Sequence, residues 1–300
     1  MEDSGLTLIT GFTGFVGSAL FDFLAERNFE VVGLGSKSLK LANSNHIESR
    51  EGIQVGDWSR LIRQLKPSSV VLCDWQGVLP GFRGDDFQFG NIERWTEVVK
   101  ASLDSHVDRI VALGSQAEIG SFQDGINEFE VFAPRSAYGI AKYQAFLDIQ
   151  DLVRDSNCQF VWARLFSVYG PTMSDEWFLK KLVHAIVFGE ELETSALTQV
   201  WNLLHVTDLS SAILTLLKSQ SSGIFNIASE KSFSFLEIVN QISNIAKTES
   251  RLKVGSLPFR RDETFVMRPS IEKLRSLGWS ETVSLNQGLR EMIAQVQLSN

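Results

Sequence analysis

The hydrophobic positions of the first two thirds of the chain fall into two alternating textures. Short continuous apolar runs occur at residues 6–10, 31–34, near 53–55, 70–73, 109–114 and 160–164. Longer amphipathic stretches of helical period lie among them at 17–27, 58–65, 91–102 and 137–154. Apolar runs without polar alternation suit strands covered on both faces, and their alternation with helices predicts a parallel sheet. Right-handed crossovers then make it a doubly wound α/β sheet. After Tyr169 the texture changes. Gly170-Pro171 breaks the pattern, and helical stretches follow at 177–188, 207–218, 235–246, 271–277 and 286–297. The division predicted is a sheet domain over 1–170 and a smaller, helix-rich C-terminal lobe over 171–300. Segments near 203–228, chiefly 206–218 and 224–228, return to the main sheet.

Composition narrows the function classes. The 300 residues suffice for two domains and are 44% hydrophobic with 6 prolines, which argues against disorder. Lys plus Arg number 28 and Asp plus Glu 36, a net charge of −8. Such an acidic chain is a poor binder of nucleic acid, and it has no basic run to hold a membrane surface. The two cysteines, Cys73 and Cys158, sit in apolar stretches and offer neither a disulfide framework nor a zinc site. The four histidines show no metal-ligand spacing, so no metal is expected. The N-terminal stretch lacks the basic start and long apolar middle of a secretory signal, and no apolar run spans a membrane. The expected location is cytoplasmic.

The first strand runs straight into a glycine-rich turn, L-T-L-I-T-G-F-T-G-F-V-G, and then into a helix. A dinucleotide site needs that order. Gly11 makes the tight turn, Gly14 lets the backbone approach a pyrophosphate, and Gly17 lets helix and strand pack closely. Thr13, Phe15 and Val16 complete the turn, where the helix start offers free N–H groups to phosphate. This makes the sheet domain an NAD(P)-binding, Rossmann-like one. The T-G-x-x-G-x-x-G spacing resembles the short-chain dehydrogenase/reductase superfamily. The second strand ends Val31-Val32-Gly33-Leu34-Gly35-Ser36-Lys37, with no carboxylate to accept from a ribose 2′-hydroxyl. Ser36 and Lys37 suit a 2′-phosphate instead, so NADP(H) is the expected cofactor, with NAD(H) the alternative.

Tyr138 and Lys142 lie four residues apart at the start of the 137–154 helix and share one face. A free tyrosine has a pKa of about 10, and a neighbouring ammonium lowers it toward a useful range. Upstream, the 109–114 strand ends at Ser115, beyond the carboxyl edge where ligands of doubly wound sheets lie. Ser115 is therefore placed to polarise a substrate carbonyl.

Together these residues resemble an extended short-chain dehydrogenase/reductase of the nucleotide-sugar epimerase/dehydratase/reductase family. Further matching segments are Val55-Gly56-Asp57, Asn91, 134–139, 164–171, 204–208, 225–228 and 273–279. The resemblance implies that Ser115, Tyr138 and Lys142 are catalytic. It places Asp57, with Trp58, at the adenine, Asn91 at the cofactor, and Ser167 and Val168 beside the nicotinamide. It also implies a nucleotide-sugar substrate and a homodimer. Departures matter as much. Where sugar 4,6-dehydratases carry an Asp-Glu pair this chain has Gln116-Ala117, which leaves water elimination without its acid and base. Trp75 replaces a small residue after the fourth strand and is expected to shape the sugar pocket or pack on the cofactor. Trp201 stands where relatives often grip pyrophosphate with arginine, which leaves Arg260 and Arg261 as the next candidates. Gln116 and Glu118 are candidate sugar contacts, Glu118 alternatively a rim carboxylate. Phe82, Phe87 and Phe89 are expected in the core or at a dimer contact, with a substrate lid the alternative.

The leading expectation is an NADPH-dependent reductase of a nucleotide-linked 4-keto-6-deoxy sugar, with Tyr138 as proton donor. The alternative is a nucleotide-sugar C4 epimerase with tightly held NAD. A cofactor-sensing protein without catalysis is the third reading, and the intact Tyr138–Lys142 pair weighs against it.

Overall fold

The apolar runs form strands whose neighbouring residues are buried on opposite faces of one sheet. The computed structural model describes residues 5–43, 46–52, 54–120, 125–259 and 264–299. In chain order the first half contains β1 (Thr7–Thr10), α1 (Phe15–Ala25), β2 (Val31–Leu34), β3 (Ser38–Asn43), β4 (His46–Glu51), α2 (Trp58–Leu65), β5 (Ser69–Leu72), α3 (Gly90–Asp104), β6 (Arg109–Ser115), α4 (Ala137–Val153) and β7 (Gln159–Leu165). The second half contains β8 (Ser167–Tyr169), α5 (Phe178–Phe188), β9 (Leu192–Thr194), β10 (Val200–His205), α6 (Val206–Lys218), β11 (Gly223–Ile227), β12 (Ser232–Ser234), α7 (Phe235–Ala246), β13 (Leu252–Val254), α8 (Glu272–Arg275) and α9 (Leu285–Leu298).

The main sheet has the order β11-β7-β6-β5-β1-β2-β3-β4. Its strands from β11 to β2 are parallel, as the doubly wound reading predicts. Leu8, Val32, Val70, Ile110 and Trp162 face α2, α3 and α4, whereas Ile9, Val31, Val71, Val111 and Val161 face α1 and α6. This is the period-two alternation of side chains along a strand, with both faces apolar because both are covered. At the sheet edge β11 pairs with β7 along its whole length.

One element differs from expectation. Among the described residues near 53–55 no strand forms. Residues beyond β2 instead turn back as the antiparallel pair β3–β4, followed by a short 3-10 turn at Val55–Asp57. Ile53 lies outside the described residues. Ser38–Asn43 reads S-L-K-L-A-N, and its Leu39 and Ala42 are buried on opposite faces of the sheet.

A third apolar cluster joins α5, α7 and α9 through Leu182, Ile186, Ile238, Ile242, Leu289 and Met292. Beside it lie the small sheets β12-β10-β8 and β13-β9. Among the described residues no helix is long and apolar enough to cross a membrane.

Candidate active site

Register puts the site residues at one edge. Thr10 pairs with Leu34 and Leu72, Leu72 with Ala112, and Ser115 with Leu165. Gly11, Asp74, Ser115 and Ser167 therefore all follow strands ending at the same carboxyl side, where doubly wound sheets bind ligands.

The glycine turn has the geometry its spacing predicts. Gly11 takes φ +69°, and a Cβ there would meet the Asp74 backbone at 2.7 Å. A Cβ on Gly17 would lie 2.2 Å from the Gly11 carbonyl oxygen. Helix α1 starts after an extended Gly14 with no side-chain cap, so its first N–H groups are free for an anion. Thr13 and Gly14 are exposed at this opening. Phe15 packs toward the third cluster and Val16 onto the α1–α6 side of the sheet. An uncapped helix start beside a turn that excludes side chains fits a dinucleotide pyrophosphate.

The other expected cofactor positions divide. Ser36 and Lys37 are exposed in the tight β2–β3 turn, where Gly35 N–H donates to the Ser38 carbonyl at 2.7 Å. Asp57 caps its own turn, accepting from Gln54 N–H at 3.0 Å and pairing with Arg60 at 3.1 Å, and these bonds hold its carboxyl below the ordinary value. Trp58 is a core residue under α2, although its indole N–H has no partner among the described residues. Asn91 is buried and ties the backbone of Gln76 and Gln88, so it braces the 76–89 segment. Ser167 and Val168 are half-buried just beyond β7.

Ser115 and Tyr138 come together. The Ser115 side chain acts on the Tyr138 phenol. Burial pushes the Tyr138 phenol up, the Arg83 charge and the Ser115 side chain pull it down, and the Glu118 charge pushes it up again. Lys142 is buried on the same helix. Its Nζ donates to the Leu113 carbonyl at 2.7 Å and lies 3.8 Å and 4.1 Å from the centres of the Trp75 and Trp95 rings. Burial pushes Lys142 down to about 7.

Trp75 stands edge-on to Trp95 at 4.8 Å and to Tyr138 at 6.2 Å, and its indole N–H donates to Gln88 at 2.8 Å. It walls the Tyr138 site, with its indole fixed in place. Glu118 is neither on the rim nor free to meet a sugar. It is fully buried, accepts from Ser115 N–H and from Trp162 Nε1–H at 2.9 Å, and faces Arg164 at 3.6 Å. Burial pushes its carboxyl up, with Arg164 opposing. Gln116 lies beside Ser115, and its side-chain oxygen is buried without a partner among the described residues. Trp201 packs on Phe235 at 5.4 Å, while the neighbouring Asn202 is consumed by bonds to Ser229, Lys231 and Ser232. Arg260 and Arg261 lie outside the described residues. Arg83 carried no motif, yet it stacks on Tyr138. Among the described residues no cluster of His, Cys, Asp or Glu could hold a metal ion.

A family model described as the NAD dependent epimerase/dehydratase family matches residues 7–228. The chain is 24% identical to human dTDP-D-glucose 4,6-dehydratase over 95% of this chain and 88% of that one. It is also 24% identical to a putative UDP-glucose 4-epimerase of Methanocaldococcus jannaschii over 98% and 99%. Among solved structures, the UDP-glucose 4-epimerase of Thermus thermophilus in complex with NAD superposes with TM-score 0.83 at 19% identity, over 97% and 99% of the two chains. Bacillus cereus UDP-glucuronic acid 4-epimerase, with UDP-glucuronic acid and NAD, reaches 0.85 at 20% over 98% and 100%. RMD from Pseudomonas aeruginosa, complexed with NADPH, reaches 0.84 at 20% over 99% and 100%.

These findings overturn two expectations. The similar proteins are predominantly named as epimerases or dehydratases, and the solved structures hold NAD more often than NADPH, against the NADPH-dependent ketoreductase and the NADP(H) preference read from Ser36 and Lys37. The physical basis of that preference is also weak, because Ser36 and Lys37 are exposed positions of a hairpin turn. With the family model matched from β1 through β11 and the same fold recovered over nearly the whole chain, the protein belongs to the NAD dependent epimerase/dehydratase family.

Proposed function

We propose that this protein is a nucleotide-sugar C4 epimerase that holds NAD through turnover. The observation that carries the reading is the Ser115–Tyr138 pair at the carboxyl edge of the sheet, with Gln116 and Ala117 where elimination of water would need an acid and a base. The family and the solved epimerases with NAD support it.

The turn from Gly11 to Gly17, with Thr13, Phe15 and Val16, would hold the pyrophosphate. Asp57 would lie at the adenine, Ser36 and Lys37 on the adenosine side, and Ser167 and Val168 beside the nicotinamide. When bound, NAD supplies a reversible acceptor for the hydrogen of the sugar C4. Tyr138 as phenolate takes the proton of the 4-hydroxyl, and Ser115 donates a hydrogen bond to the oxygen that becomes the ketone. After the ring presents its other face, Tyr138 returns the proton and the epimer forms. Lys142 lies beneath the site, held by the Leu113 carbonyl and the Trp75 and Trp95 rings. Residues 1–170, with the returning segments near 203–228, form the cofactor half, and 171–300 mostly the sugar-nucleotide half. Trp75, Gln116 and Trp201 line the sugar side.

The test is direct. Protein purified without added nucleotide is denatured and its supernatant assayed for NAD, and the native sample is incubated with UDP- and dTDP-hexoses under NMR observation. Released NAD and exchange of the C4 epimers are expected. A protein free of NAD that exchanges no epimer when NAD is supplied would sink the reading.

A further inference from the structure

Tyr138 must be ionised to accept a proton, and the residue that faces its ring with a fixed positive charge is not the one its helix spacing points to. The Arg83 guanidinium carbon lies 4.9 Å from the centre of the Tyr138 ring and 5.4 Å from that of Trp177. It is held through both its backbone and its side chain. Arg83 Nε donates to the Val78 carbonyl at 2.9 Å, and the Arg83 carbonyl accepts from Tyr138 N–H at 2.9 Å. The segment carrying it is fastened in turn by Gln88, whose amide donates to the Gly77 and Phe82 carbonyls and accepts from Trp75. Lys142, four residues along the helix, is committed elsewhere, to the Leu113 carbonyl and the faces of Trp75 and Trp95.

We infer that Arg83 is the positioning cation of Tyr138: stacked on the phenol and clamped to the first turn of α4, it orients the ring and stabilises its ionised form. This deepens the proposed function and rests on Tyr138 being the proton carrier. The charged groups facing Tyr138 are Arg83 from the 76–89 segment, Glu118 from the turn after β6 and Lys142 from its own helix. Glu118 opposes ionisation and Arg83 favours it. Burial pushes Lys142 itself down to about 7, which weakens it as a fixed charge at alkaline pH. A guanidinium is also suited to the place because it stacks on aromatic faces.

The protein has only three tyrosines, so tyrosinate absorbance near the ultraviolet edge can be assigned by difference. Tyr138 ionisation is read as wild type minus Tyr138→Phe across alkaline pH, and likewise in Arg83→Gln, Arg83→Lys and Lys142→Met backgrounds, each against its own double variant. Circular dichroism marks the pH range in which every variant stays folded. Arg83→Gln is expected to lower the tyrosinate-to-phenol ratio at a given pH about tenfold. Arg83→Lys is expected to restore most of it, and Lys142→Met to change it less than Arg83→Gln does. The inference is overturned by an Arg83→Gln ratio equal to wild type, by a larger effect of Lys142→Met, or by a wild-type Tyr138 that fails to ionise before unfolding. The titration needs no substrate. A chain with no epimerase activity can therefore still show the Arg83 effect, and an active one can lack it.

Discussion

Ser115 is oriented by a carboxylate three residues on. Glu118 accepts from the Ser115 N–H while the Ser115 hydroxyl accepts from Ala117 N–H at 3.2 Å, a reciprocal capping box at the end of β6. The same carboxylate faces Arg164, which is fully buried, lies over the Phe132 ring and also feels the charges of Glu128 and Glu130. Removing Glu118 takes away the carboxylate paired with that buried guanidinium. Glu118→Ala is expected to cost about 3–5 kcal/mol in urea unfolding, the range for breaking a buried pair. Glu118→Gln, which keeps an acceptor for Ser115 N–H, should cost less. A loss below about 1 kcal/mol for the alanine variant would show that Arg164 finds other partners.

The glycine turn shows what spacing alone conveys at the level of elements. Gly11, Gly14 and Gly17 were legible because one constraint, helix against strand across a tight turn, lies within a dozen consecutive residues. The same locality made the parallel strands and the Tyr138–Lys142 face legible. Contacts between distant segments were not. Arg83 meets Trp177, Trp162 meets Glu118, and Trp75 meets Gln88 through folding that no local pattern encodes. The aromatic run around Phe82 stays out of the core for a related reason. Phe82, Phe87 and Phe89 are each more than 40% exposed, because Gln88 is the residue of that segment turned inward. The turn also yields a ranking. Gly17→Ala puts a Cβ 2.2 Å from a backbone oxygen that cannot rotate away, so α1 must lift from β1. Gly14→Ala meets the same oxygen at 3.3 Å, which a small shift relieves. Thermal and urea unfolding should show Gly17→Ala destabilised by about 1–3 kcal/mol and Gly14→Ala by clearly less. Equal costs would mean that α1 does not depend on this close approach.

Across the whole molecule, the buried cation of the site sets a pH dependence of stability. Lys142 is 3% exposed between two indoles, and burial lowers it from an ordinary value near 10.5 to about 7. Above pH 7 the folded state releases this proton while the unfolded chain keeps it until about 10.5. The unfolded state then binds more protons, so stability rises with pH across that window and is lost as pH falls toward 7. Cys73 and Tyr138 act oppositely, since burial raises both and the unfolded chain gives up their protons first at higher pH. The clean range is therefore pH 7 to 8.5, below the ordinary values of those groups. There Lys142 alone contributes a slope of about 1.4 kcal/mol per pH unit, near 2 kcal/mol over the range. Lys142→Met removes the titration but keeps apolar bulk against Trp75 and Trp95. Urea unfolding of both proteins at several pH values should show the wild type gaining about 2 kcal/mol on the variant between pH 7 and 8.5. Titrating groups remote from Lys142 are common to both and cancel in the difference, whereas Cys73 and Glu118, which its charge pulls down, shift with it. Parallel curves would mean that the Lys142 ammonium is solvated or paired in solution, and that the indole cage opens around it.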